Sequence, residues 1–104
     1  MNSETMDAGL KEVMQKNKDL GTGGFTNLFE PMVMDRFISV QQFEKCVNYL
    51  TESETTTINS YALKHEVEKK EKYYIPHGAM IAAILFLGLP YKRYTESSRI
   101  VIQK

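Results

Sequence analysis

The chain has 104 residues, the usual size of one domain, and its 42% hydrophobic and 25% charged composition is that of an ordinary globular protein. Thirteen basic and thirteen acidic side chains balance, which excludes a chain-wide attraction to nucleic acid or to anionic membranes. The longest apolar run, Ala79 to Leu87, has about half of the roughly 20 residues that a membrane-spanning helix needs. Cys46 is the only cysteine, and no signal peptide is recognisable, so we expect a protein of the reducing cytoplasm.

The two halves of the chain differ in charge. Residues 1–57 carry five basic and nine acidic side chains, whereas residues 58–104 carry eight basic and four acidic ones. This contrast indicates an electropositive face on the C-terminal half.

The first predicted element is an amphipathic helix within residues 1–19. Apolar residues recur at i, i+4, i+7 and i+8 from Met6, which places them on one helical stripe. Three glycines then fall within residues 20–24 and predict a flexible joint to the core, residues 25–104. No lysine of a phosphate-binding loop follows these glycines, so we interpret the joint as structural. The whole chain is predicted to be a single domain.

A dense apolar segment follows at residues 25–37, and it contains Phe25, Leu28, Phe29, Met32, Val33, Met34 and Phe37. We expect a short helix from about Pro31, because proline is tolerated in the first turn of a helix. One short helix does not need this many apolar positions for its inner face, and methionine-rich surfaces are typical of adaptable protein binders. We therefore predict a protein-binding surface formed by Phe25, Phe29, Met32 and Met34. Packing of the first helix over the same residues is the alternative.

The best-signalled helix of the first half runs from Val40 to Leu50. Ser39 followed by Gln42 matches a capping box, in which two side chains satisfy backbone N–H groups at the helix start. Apolar residues recur at i, i+3, i+7 and i+10 from Val40, as on one face of a helix. After a polar loop, Thr57 or Asn59 can cap the next helix.

The second half predicts the order helix, turn, helix, hairpin. The helix after the polar loop runs to about Lys70. The segment from Gly78 to Leu87 is hydrophobic all round and ends at a Gly-Leu-Pro stop, so the other helices must surround it. Residues 91–94 and 99–103 are expected to form a strand pair. The predicted fold is a mainly α (α+β) domain with a C-terminal helix-turn-helix and β-hairpin, similar to a winged helix.

A longer pattern runs from Ser60 to His65 (SYALKH), from Tyr74 to Ala83 (YIPHGAMIAA) and through Leu87-Gly88. It resembles a pattern in small uncharacterised bacterial proteins, many of them encoded on mobile elements. The resemblance covers residues 60–94, under half of the chain. It implies a shared fold segment and a bacterial or phage setting, and it assigns no activity and no residue role.

The residue pattern gives little support to catalysis. His65 and His77 are the only histidines, and neither belongs to a Cys/His array or a His-Glu-x-x-His helix of the kind that binds zinc. Tyr61 and His65, four apart on a helix, are expected to pack rather than to transfer protons. His77 is expected to start the last helix or to bond to the loop around it, and Cys46 to be a small buried hydrophobe. We predict no catalytic residue, no metal and no cofactor.

The leading functional interpretation is a small non-enzymatic regulatory or adaptor protein that binds another protein or a second copy of itself. The alternative is nucleic-acid binding of the winged helix-turn-helix type by the basic C-terminal half; we expect no membrane contact. The apolar run from Ala79 offers no polar side chain to base edges, so the alternative depends on non-specific phosphate contacts. The candidates for these contacts are Lys69, Lys70, Lys72, Lys92, Arg93 and Arg99.

Overall fold

The computed structural model describes residues 3–26, 35–94 and 97–103, and these ranges form four helices and two small antiparallel hairpins. The helices are α1 (Ser3–Lys16), α2 (Val40–Glu52), α3 (Ser60–Glu71) and α4 (His77–Phe86). The first hairpin joins β1 (Leu20–Gly21) to β2 (Gly24–Phe25), and the second joins β3 (Tyr91–Arg93) to β4 (Ile100–Ile102). The fold is a small α+β domain. In the described ranges, no helix has the length and apolar character needed to cross a membrane.

Helix α4 is the centre of the fold. It packs against α1, α2 and α3, and every residue from Ala79 to Ile84 is fully buried. A helix without a polar face is stable in water only when other elements cover it on all sides. The Phe86 ring near its end makes a T-shaped contact with Phe43 of α2, with 5.3 Å between ring centroids. A Cβ atom on Gly9 of α1 would overlap the same ring. The prediction of a surrounded central helix is confirmed.

Two of the predicted helix caps are confirmed. Ser39 Oγ accepts the backbone N–H of Gln42 at 3.1 Å, and Gln42 Oε1 accepts the backbone N–H of Ser39 at 3.2 Å. These reciprocal bonds satisfy two donors that the helix itself cannot pair. At the start of α3, Asn59 Oδ1 accepts the N–H groups of Tyr61 and Ala62. The caps fix the residues at which α2 and α3 begin.

The glycine-rich segment after α1 is a tight hairpin rather than a flexible joint. Gly21 pairs with Gly24, whose φ of 102° lies in the left-handed region that glycine tolerates. The hairpin packs on the start of α4, where Gly78 donates its N–H to the carbonyl of Thr22 at 2.9 Å. A Cβ atom on Gly78 would overlap the carbonyl oxygen of Gly21. Glycine therefore serves close backbone approach at this contact.

The predicted C-terminal hairpin is confirmed, and β4 attaches it to the rest of the domain. Tyr91 lies opposite Ile102, and Arg93 lies opposite Ile100. On its other side β4 borders the residues before α3, where Ile102 donates its N–H to the carbonyl of Ile58 at 2.9 Å. Ile100 and Ile102 are buried, whereas all three residues of β3 are exposed. Strand β3 is therefore the outer strand of this hairpin. The short helix expected from about Pro31 lies outside the described residues.

Candidate functional site

An open groove of about 820 Å³ lies between α1 and the start of α2. Its size falls in the range of protein sites that hold a ligand or an inserted side chain. The side chain of Phe37 stands at this groove and is 76% exposed, more than any other large hydrophobic side chain in the described ranges. Exposure of an aromatic ring to water costs free energy, and a surface that covers the ring removes this cost. The other apolar residues that line the groove are Leu10, Met14, Ile38 and Val40.

The loop that carries Phe37 is held in place by its two neighbours. The guanidinium group of Arg36 donates to three backbone carbonyls at the end of α1 and in β1, those of Met14, Asn17 and Leu20, at 2.7, 3.0 and 2.9 Å. A cation at this position also compensates the partial negative charge of the helix end. Asp35 Oδ1 accepts the backbone N–H of Phe37 at 2.9 Å. The ring of Phe37 is thus displayed from a fixed loop.

The charged side chains at the groove are mostly engaged within the protein. Asp7 and Lys11 form an ion pair at 3.1 Å along α1, and Arg36 is committed to carbonyl groups. Glu44 also lines the groove, and it has no charged partner among the residues that the structure describes. The groove therefore presents an apolar floor with one carboxylate available to a cation.

Of the four predicted protein-binding residues, Phe25 lies in the described ranges, and it does not share the exposed position of Phe37. Phe25 is only 2% exposed and belongs to the core, with the guanidinium carbon of Arg93 lying 3.9 Å from its ring centroid. It is therefore not on the surface, which corrects the expectation for this residue. Phe29, Met32 and Met34 lie outside the described residues. Phe37 belongs to the same apolar segment of the sequence. Its exposure follows from the loop geometry, and no sequence pattern indicates it.

The six basic residues of the nucleic-acid alternative are all exposed, but two of them also make contacts within the domain. Arg93 makes an ion pair with Asp19 at 2.6 Å and donates to the carbonyl of Thr26 at 2.9 Å, so it joins β3 to the first hairpin. The ammonium group of Lys70 lies 5.5 Å from the ring centroid of Tyr49 on α2. Both residues serve contacts within the domain. The other four are Lys69, Lys72, Lys92 and Arg99.

A buried histidine and serine form a hydrogen-bonded pair of potentially catalytic side chains. His77 Nε2 lies 2.8 Å from Ser60 Oγ, and the two residues are 4% and 0% exposed. Ser60 Oγ also accepts the backbone N–H of Ile100 at 2.9 Å, and the His77 ring hydrogen-bonds to the backbone of Gly23. The expectation that His77 bonds to the surrounding loop is confirmed. Sequence reasoning missed Ser60, because no local pattern marks a serine at a helix start as the partner of a distant histidine.

The protonation of these buried groups fits a structural role. Burial lowers the pKa of His77 to about 4, assisted by the positive charges of Arg99 and Lys64, so the ring is neutral at physiological pH. Burial likewise raises the pKa of the Cys46 thiol to about 12. A thiol that does not ionise is a poor nucleophile. Tyr61 and His65 pack in a T-shaped contact at 4.6 Å between centroids, as expected.

Comparison of the chain with protein-family models, with curated proteins and with solved structures finds no match. The resemblance of residues 60–94 to mobile-element proteins accordingly stays a prediction.

The Ser60–His77 pair and the groove differ in their access to solvent. A serine that acts as a nucleophile must be open to its substrate, and Ser60 is fully enclosed. Among the described residues, no cluster of three His, Cys, Asp or Glu side chains could hold a metal ion. The groove beside the exposed Phe37 ring, by contrast, is open to solvent.

Proposed function

We propose that this protein is a small non-enzymatic adaptor or regulatory protein that binds an apolar helical segment of another protein in the α1–α2 groove. The observation that carries the proposal is the 76% exposure of Phe37 at a groove of about 820 Å³. Large aromatic side chains at the centre of an interface supply much of its binding free energy. Phe37 is the anchor residue of this proposal.

The shape and charge of the groove favour a helical ligand with a basic residue. Two helices form its walls, and such grooves commonly take the apolar stripe of a third helix, with side chains at i, i+3 or i+4, and i+7. The carboxylate of Glu44 lacks a charged partner in the described part of the chain. A Lys or Arg beside the apolar stripe of the ligand would pair with it and fix the orientation of the helix.

Affinity capture followed by a titration tests this proposal. The tagged protein is used to capture proteins from a nuclease-treated bacterial lysate, the retained protein is identified and purified, and its affinity is measured by calorimetry. We expect Phe37→Asp to weaken binding at least 30-fold, because the loss of a hot-spot residue costs about 2 kcal/mol or more. We expect Glu44→Lys to weaken it less, through charge repulsion.

Ile58→Asp is the matched control, because Ile58 is an exposed apolar residue that does not line the groove. This variant should keep the wild-type affinity. Equal binding by wild type and Phe37→Asp would refute the proposal. Light scattering distinguishes a homodimer, since self-association that Phe37→Asp abolishes would show that the groove takes a second copy of the chain instead.

The winged helix-turn-helix form of the nucleic-acid alternative is less well supported. In that fold the second helix enters the major groove, and here the corresponding α4 is covered from Ala79 to Ile84. Nucleic-acid binding by the exposed cations of the C-terminal half would therefore have to use a geometry other than that of a winged helix-turn-helix. The bacterial or phage setting and the cytoplasmic location are part of our proposal, supported by the pattern in residues 60–94 and by the single cysteine.

A further inference from the structure

A row of alternating cationic and aromatic side chains crosses the surface where α3 begins. The guanidinium carbon of Arg99 lies 4.9 Å from the ring centroid of Tyr61. The ammonium group of Lys64 lies 5.7 Å from the same centroid and 5.4 Å from that of Tyr74. We name these four residues, Arg99, Tyr61, Lys64 and Tyr74, the Tyr61 face. Arg99 immediately precedes β4, Tyr61 and Lys64 lie in α3, and Tyr74 lies in the α3–α4 loop, so only the fold brings them together.

The two tyrosines of the Tyr61 face are open to solvent. Tyr74 is 67% exposed and Tyr61 is 41% exposed. Flat rings of this kind are the platforms on which proteins stack the bases of single-stranded nucleic acid, and a guanidinium plane such as that of Arg99 serves the same purpose. Because every base has a π-face, such stacking is tolerant of sequence.

Two of the three acidic residues of α3 are engaged with other elements rather than with the Tyr61 face. Glu66 accepts hydrogen bonds from Tyr49, Thr55 and Thr57 on the side of α2. Glu71 makes an ion pair with Lys45 of α2 at 3.5 Å.

The remaining carboxylate of this helix, Glu68, neutralises only the innermost cation of the face. It accepts from Lys64 at 2.9 Å, from His65 at 3.0 Å and from the backbone N–H of Ile75 at 3.1 Å. In the described part of the chain, Arg99, Lys69 of α3 and Lys72 at the C-cap of that helix have no carboxylate partner.

This segregation of charge leaves positive charge beside the exposed rings. Lys69 in the last turn of α3 and Lys72 at its C-cap are also exposed cations, and the 12 residues of this helix span about 18 Å at 1.5 Å per residue. That length accommodates the backbone of two or three nucleotides. An acidic peptide would pair with the same cations but would leave both tyrosine rings without a function, whereas a nucleic-acid strand uses the cations for phosphates and the rings for bases.

We propose that the Tyr61 face is a binding site for single-stranded nucleic acid, distinct from the α1–α2 groove. Phosphates contact Arg99, Lys69 and Lys72, and bases stack on Tyr74 and on the Arg99–Tyr61 pair. Recognition is non-specific in sequence and selects single strands over duplexes, because paired bases are not available for stacking. This site does not depend on the function proposed for the groove.

Fluorescence anisotropy with labelled 12-nucleotide strands of dT and rU, and with a 12-base-pair DNA duplex, tests the site at about 50 mM salt. We expect both strands to bind more tightly than the duplex. Neutralisation of two or three phosphates with a slope of about −0.7 each predicts a loss of roughly tenfold in affinity between 50 and 200 mM salt. We expect Tyr74→Ala and Arg99→Gln each to weaken binding of the dT strand by about tenfold.

A matched control accompanies each tested position: Tyr73 next to Tyr74 for the aromatic ring, and Lys70 of α3 for the cation. Tyr73→Ala removes a tyrosine that contacts Lys45 instead of the Tyr61 face, and Lys70→Gln removes an α3 lysine that faces Tyr49. Both control variants, and Phe37→Asp in the groove, should bind the dT strand like wild type. Absence of binding at 50 mM salt, tighter binding of the duplex, or equal losses in the test and control variants would overturn the proposal. Melting curves confirm that the surface variants are folded.

Discussion

The Oγ atom of Ser60 lies 2.8 Å from His77 Nε2 and also accepts the backbone N–H of Ile100. One hydroxyl group thus connects the start of α3, the start of α4 and strand β4. A hydroxyl group can accept and donate at the same time. The Ser60 oxygen accepts the Ile100 N–H, and its proton is donated to the neutral imidazole ring. This buried connection is the source of the first two predictions.

Acid should destabilise the protein through His77. Burial lowers the pKa of its ring to about 4, below the ordinary value of 6.5 that it regains on unfolding. Folding therefore favours the neutral ring, and this contribution is complete above pH 6.5 and is lost as the pH falls towards 4. At about 1.4 kcal/mol per pKa unit, the free energy of unfolding should fall by roughly 3 kcal/mol over this interval. Urea denaturation at pH 7 and pH 4 measures the change. His77→Gln should show a much weaker pH dependence, and an unchanged dependence would contradict the assignment.

Ser60→Ala should destabilise the fold by about 3 kcal/mol, because it leaves a buried N–H group and a buried ring nitrogen without partners. Urea denaturation at pH 7 gives the value. Ser53→Ala is the control, since Ser53 ends α2 and its Oγ has only a 3.5 Å contact with exposed Lys70. A change below about 0.5 kcal/mol is expected there. Similar losses in the two variants would show that the Ser60 hydroxyl has no special role.

Two alanine substitutions test whether the glycines at the first hairpin serve close backbone approach or loop flexibility. Gly78→Ala places a methyl group against the carbonyl of Gly21 and should cost several kcal/mol, because neither backbone can yield without disturbing the hairpin. Gly23→Ala places its methyl group where no atom lies within 4 Å and should leave the melting temperature within a few degrees of wild type. Equal melting temperatures for both variants would argue against the packed hairpin.

The thiol of Cys46 should be unreactive in the folded protein. It is fully buried, and its pKa is raised to about 12, so the nucleophilic thiolate is essentially absent at pH 8. Labelling with a thiol-specific reagent should be slow under native conditions and should reach one equivalent at once in 6 M guanidinium chloride. Rapid labelling of the native protein would contradict the buried position.

Local sequence patterns predicted the elements of the fold well. The Ser39 and Gln42 pair marks the start of α2 because a capping box is made of neighbouring residues. Asn59 marks the start of α3 for the same reason. The all-round apolar segment within α4 predicted its central position, since no other environment stabilises such a helix.

Contacts between distant parts of the chain could not be predicted in this way. Phe25 and Phe37 lie in the same apolar segment and have equal hydropathy, yet one is in the core and the other is 76% exposed. The difference depends on Arg93, which reaches Phe25 from β3, and on Arg36, which holds the loop before α2. The Tyr61 face likewise needs Arg99 beside Tyr61, a pairing that neither periodicity nor motif spacing encodes.

The attachment of β4 has a consequence for folding during synthesis on the ribosome. Ile100 and Ile102 are buried, and their N–H groups bond back to Ser60 and to Ile58, so the core closes only with residues that the ribosome adds after α4. A nascent chain that stops before β4 lacks these partners of the Ser60 hydroxyl and the Ile58 carbonyl, and it leaves open the part of the core that Ile100 and Ile102 fill. Incompletely closed cores are substrates of chaperones and quality-control proteases. We therefore expect translation products that lack β4 to be cleared from the cell faster than the chain that includes it.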